Sequence, residues 1–192
     1  MTTLDPSRTA ILAMDFQSIV VNNYFAESAA PKNMATAIGL GRAAGATIVF
    51  VTVGFREGYP EISDRNPVFA GFKGSGGAFV EGSDGYEIHP DLGARSDDLV
   101  VIKRRMGAFA HTDLDLLLRT REIDTIVLGG LATSGVVLST VRAAGDLDYR
   151  IVVLDDCCSD FEDEVQKVLM EKIFPFQGTV ASTHDLKSLL AA

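Results

Sequence analysis

The chain is poor in the groups that most often announce a function. It has two cysteines and three histidines among 192 residues, and its acidic side chains outnumber the basic ones to leave a formal net charge of −9. Cys157 and Cys158 are adjacent, and a disulfide between neighbours is geometrically strained, so no disulfide framework is expected. His89, His111 and His184 are scattered without paired-ligand spacing, which argues against a metal site. Phosphate backbones are bound by clustered Lys and Arg, and the only basic run, Lys103-Arg104-Arg105, is too short for a nucleic-acid surface. No apolar run reaches the roughly 18 residues of a membrane span, and the N-terminus carries no signal-peptide h-region. A cytoplasmic protein is expected. The G-K-[ST] signature of a phosphate loop is missing too, and no strand feeds a dinucleotide fingerprint.

What is present is a set of apolar, β-branched runs. "TAILAMDF" (9–16), "ATIVFVTV" (46–53), "DLVVIK" (98–103), "DTIVLGG" (124–130) and "RIVVLDD" (150–156) read as strands, with a weaker sixth at "GTVAS" (178–182). Continuous apolarity, rather than alternation, marks strands covered on both faces, as in a parallel sheet. Helical patterns fall between them at about 31–45, 112–121, 134–147 and 160–173, with a last one near 184–191. Thr112 with Asp115 has the spacing of a capping box at a helix start. The fold expected is α/β and three-layered: a mostly parallel, six-stranded, Rossmann-like sheet with helices on both faces. One domain spans 1–192, interrupted at about 54–97 by a long segment containing "GFKGSGGAFVEGSDGY". A connection of that length is a lid or an interface element, and Phe69, Phe72, Phe79 and Tyr86 would anchor it.

Open parallel sheets bind ligands beyond the carboxyl ends of their strands. Asp15, Phe16 and Gln17 follow the first strand, Lys103 ends the third with Arg105 just beyond, and "LGGLATSGVVLST" (128–140) joins the fourth to a helix. Asp15 and Lys103, on what read as central strands, would be desolvated and coupled, either as a structural ion pair or as chemistry. The strand-to-helix junction aims amides into the same crevice, as an anion site or as a plain turn capped by Ser134.

Taken in order, four segments resemble the isochorismatase-like hydrolases, also called cysteine hydrolases, over about 9–182: "AMDFQ", "VIKRRMGAF", "HTDLDLLLR" and "GGLATSGVVLSTVRAAGDLDYRIVVLDDCC". The resemblance implies that Asp15 is a catalytic acid/base, that Lys103 is a catalytic lysine, and that 130–133 forms an oxyanion loop with a cis peptide at Leu131–Ala132. It puts the family's nucleophilic cysteine on Val136, which has no nucleophilic atom. Three readings stay open. The first is hydrolysis without a covalent intermediate, as in the isochorismatase branch, with Asp15 as general acid toward a vinyl ether. The second is an amidase-type C–N hydrolase whose nucleophile has moved to Ser134, Thr133, Cys157 or Cys158. The third is an inactive homologue that binds a small molecule. Under the first, Phe16, Gln17, Arg105, Phe109, Ala132, Thr133, Ser134 and Gly135 are the substrate-binding candidates, with Tyr24 and Phe25 beside them. Arg105 would hold the carboxylate of a small anionic substrate, and Lys103 beside Asp15 would lower a carboxyl pKa that a general acid needs raised. No cofactor is implied. The family's habit implies a homodimer or homotetramer.

Overall fold

The computed structural model describes residues 3–190. Six strands, β1 (Thr9–Met14), β2 (Thr47–Val53), β3 (Leu99–Lys103), β4 (Thr125–Leu131), β5 (Arg150–Ser159) and β6 (Thr179–Ala181), form one sheet. Their order is β3-β2-β1-β4-β5-β6, and every adjacent pair is parallel. Among the described residues, seven α-helices connect and cover them: α1 (Ser18–Tyr24), α2 (Ala30–Ala44), α3 (Pro67–Ala70), α4 (Leu114–Arg119), α5 (Leu138–Asp146), α6 (Asp163–Val168) and α7 (Thr183–Leu189).

Two apolar clusters lie on opposite faces of the sheet, and the alternating side chains of β1 divide between them. Ile11 and Ala13 pack with Met34 and Ile38 of α2 and Leu186 of α7. Ala10, Leu12 and Met14 pack with Leu114 and Leu118 of α4 and Val141 and Ala144 of α5. Period-two alternation therefore exists within β1, but both sets of side chains are apolar because both faces are covered. The strand order reverses direction between β1 and β4, and the crevice outside their carboxyl ends is where this topology binds ligands.

Two expectations are corrected. Thr112 and Asp115 do not form a capping box: α4 begins after Asp113, and the Thr112 hydroxyl donates to the Ala108 carbonyl at 2.6 Å. Among the described residues a capping box is found at α7, where Ser182 and Asp185 exchange side-chain to backbone hydrogen bonds. Nor do Asp15 and Lys103 both follow central strands, because β3 is the sheet edge.

The 54–97 segment is folded against the strand ends. The bridges Gln17↔Ile88 and Phe55↔Val80 hold it, as do hydrogen bonds from Ser18 N to the Glu87 carbonyl and from Ile19 N to the Gly85 carbonyl. Arg104, just past β3, ties it down through Glu61 and Glu81. Gly54 lets it turn away closely: a Cβ there would lie 2.8 Å from the Tyr86 hydroxyl and 2.9 Å from Ile102 Cγ2.

Candidate active site

Asp15 stands one residue past β1 and adopts a left-handed backbone, φ 59°, that non-glycine residues rarely take. Its amide still donates to the Val51 carbonyl at 2.8 Å, so the side chain turns at a point fixed by the sheet. Lys103 closes β3, paired in register with Val53. Since β2 lies between them, the lysine spans two strand spacings, roughly 10 Å, to reach the aspartate. Its Nζ ends 2.9 Å from Asp15 Oδ2 and donates to the Arg105 carbonyl at 3.2 Å. Both residues are buried, Lys103 at 2% exposure and Asp15 at 7%.

Burial pushes the Asp15 carboxyl above its ordinary range, and this outweighs the opposing pull of the Lys103 ammonium. Burial thus acts against the lysine, in the direction that a general acid needs. Asp15 Oδ1 is buried with no hydrogen-bond partner among the described residues. Replacing a buried ion pair by apolar side chains is often neutral or stabilising by about 1–4 kcal/mol, so fold stability alone does not account for this one.

The pair lines a cavity of about 330 Å³. Leu131 and Ala132 at the end of β4, Met106, Val53 and Val20 line it with the pair; Phe69, Phe72, Phe79 and Val68 come from the 54–97 segment, and Tyr24, Phe25 and Phe161 complete the lining. The peptide Leu131–Ala132 is cis. Gly129 and Gly130 let neighbouring backbone close in: a Cβ on Gly129 would meet the Cys157 carbonyl oxygen at 2.6 Å, and one on Gly130 the Met14 carbonyl oxygen at 3.0 Å.

Of the candidates read from the sequence, Asp15, Lys103, Ala132, Tyr24 and Phe25 meet in this cavity, and the others do not line it. Gln17 is fully buried. Its amide donates to the Val53 and Tyr86 carbonyls and accepts from Val53 N at 2.8 Å, so it joins β2 to the 54–97 segment. Phe16 is core, and Phe109 stacks on Tyr149 with ring centroids 5.6 Å apart. Arg105 faces a neighbouring depression with Asn66 and His111, and its guanidinium donates to the Arg104 and Glu61 carbonyls. It therefore does not hold a carboxylate in the Asp15 cavity. Gly135 lies against Met106, which lines both spaces: a Cβ on Gly135 would lie 3.1 Å from Met106 Sδ.

The relocated nucleophiles fare no better. The Thr133 hydroxyl donates to Gln166 Oε1 at 2.6 Å. Ser134 is exposed, and its amide donates to the Asp160 carboxylate, so the anion at this helix start is a side chain of the protein itself. Cys157 and Cys158 are buried in opposite core clusters; burial pushes both thiols up, Cys158 to about 12, which leaves neither a thiolate at neutral pH. Val136, where the resemblance puts the cysteine, is buried in the second core cluster. The residues missed from sequence are the cavity walls Val20, Val53, Val68, Met106 and Phe161, while Phe69, Phe72 and Phe79, the anchors expected for 54–97, line the cavity as well.

This strand order, the aspartate–lysine pair past β1 and β3, and the cis peptide past β4 coincide with a match of the isochorismatase domain to residues 9–185. The chain belongs to the isochorismatase family. It is 35% identical to the uncharacterized isochorismatase family protein YwoC of Bacillus subtilis, over 95% of this chain and 94% of that one. It is 29% identical to the ureidoacrylate amidohydrolase RutB of Caulobacter vibrioides, over 96% and 92%. The solved structure of an isochorismatase family protein from Burkholderia thailandensis superposes with a TM-score of 0.84 at 29% identity, covering 100% of both chains. The chain is accordingly an α/β hydrolase of this family.

Proposed function

We propose that this chain is a cytoplasmic hydrolase that acts on a small molecule by Asp15–Lys103 acid–base chemistry without a covalent enzyme intermediate, with vinyl-ether hydrolysis as the favoured reaction. One observation carries the reading: the cavity that holds Asp15 and Lys103 is lined by no thiol and no serine or threonine hydroxyl among the described residues. Protonated Asp15 gives its proton to the distal alkene carbon of the bound vinyl ether, leaving an oxocarbenium carbon. Lys103 stabilises the carboxylate that forms. Water adds to the cation and returns a proton to Asp15, and the hemiketal opens to a carbonyl compound and an alcohol. The elevated carboxyl pKa supports the first step, because the acid form must be populated at working pH.

The relative named as an amidohydrolase keeps C–N hydrolysis as the comparison reaction, and a panel of vinyl ethers, amides and ureas separates the two. Asp15→Asn keeps the shape of the side chain and an acceptor for Lys103; it abolishes turnover on this reading while the circular dichroism spectrum is retained. Near-full activity in that variant would sink the proposal.

A homodimer or homotetramer is proposed from the family resemblance alone. A monomer in sedimentation velocity would end that part of the reading.

A further inference from the structure

The cavity is unusual for its walls rather than its floor. Phe25 and Phe161 pack with centroids 5.0 Å apart on one side, and Phe72 and Phe79 with centroids 4.7 Å apart on another. The rings belong to three separate parts of the chain and converge on one space. Lys103 is the single cation lining it among the described residues, and its Nζ lies 2.9 Å from Asp15 Oδ2. A substrate anion placed here would find Lys103 Nζ already engaged by Asp15 and by the Arg105 carbonyl. The rest of its surroundings would be hydrocarbon, which solvates ions poorly. Arg105, the obvious anion binder from sequence, lines the neighbouring depression and not this cavity.

Size narrows the occupant further. An apolar cavity of about 150 Å³ holds one benzene ring, and this one is about 330 Å³. The space suits a bicyclic ring system with one small polar group at the Asp15 end. There Oδ1 has no partner among the described residues, and two of the three donors on Lys103 Nζ already have partners. Ring faces and edges around the cavity favour an aromatic over a saturated body.

We infer that the substrate is an uncharged molecule with an aromatic, bicyclic-sized body seated among Phe69, Phe72, Phe79, Phe25 and Phe161, its reacting group at Asp15. This deepens the hydrolytic reading above and rests on the Asp15 cavity being the substrate site. It replaces the expectation of a small anionic substrate.

The test is calorimetric titration of the purified chain with 2-naphthamide, 2-naphthoate and the saturated analogue decahydronaphthalene-2-carboxamide. The amide is expected to bind about tenfold or more tightly than the carboxylate, since the latter buries an ion among rings, and more tightly than the saturated analogue. Phe161→Ala, which removes a ring that is 68% exposed and so spares the core, is expected to weaken the amide several-fold. Equal or tighter binding of 2-naphthoate overturns the inference, as does an affinity for the amide that Phe161→Ala leaves unchanged, or no binding of the amide at millimolar concentration. If the affinity order holds while Asp15→Asn keeps its turnover, the substrate class stands and the acid–base mechanism falls.

Discussion

The floor and the walls of the cavity are built by different physics. The floor comes from the sheet: Asp15, Lys103, Leu131 and Ala132 sit at or one residue beyond strand ends whose register is fixed by parallel pairing. The walls come from 54–97 and from Phe161, where little regular structure exists and position depends on a few polar ties to the frame. Chemistry that needs sub-ångström placement rests on the first, and the shape that selects a substrate rests on the second. Substitutions in the two regions should therefore separate turnover from recognition.

The largest effects belong to the floor. Asp15→Asn is expected to lower kcat by about 10²–10⁴-fold, the range of a lost general acid, measured as steady-state turnover with melting checked in parallel. Lys103→Ala leaves the aspartate buried and unpaired and is expected to cost about 3–5 kcal/mol of stability by urea denaturation. Gln17→Ala is intermediate: it strands the Val53 and Tyr86 backbone groups and should cost about 1–3 kcal/mol. Amide exchange should rise across 54–97 in that variant while β1 and β4 stay protected, so uniform exchange would erase the distinction between the two regions. Activity should also fall as pH rises through the elevated Asp15 pKa, because the proton donor is lost. A rate that instead rises with pH would make Asp15 a base. The smallest effect is expected from Cys158→Ala, with kcat unchanged, since its thiol is buried away from the cavity.

Much of the floor was legible in the sequence, because long apolar runs end where charge begins: "AMDFQ" and "VIKRR" mark the strand ends that carry Asp15 and Lys103. All six strands were legible for the same reason, to within a few residues at their ends. The edge position of β3 was not, since strand order is set by which strands pair and not by any local pattern. The walls were harder. Phe69, Phe72 and Phe79 stood out as anchors, but 54–97 has no period that fixes what they face. Gln17 and Arg105 looked like ligands for the same reason: a polar residue after a strand can point into a crevice or tie down a loop, and only the tertiary partners decide. Both tie down 54–97, Gln17 through the Tyr86 carbonyl and Arg105 through the Glu61 carbonyl.

The central claim is that hydrolysis here passes through no covalent enzyme intermediate. Intact-mass spectrometry of the chain, acid-quenched during steady-state turnover of whichever vinyl ether, amide or urea it hydrolyses, tests that most directly. The account predicts the mass of the unmodified chain at every time point. An accumulating adduct of substrate-derived mass, on Ser134, Thr133, Cys157 or Cys158 or on any other residue, would contradict it.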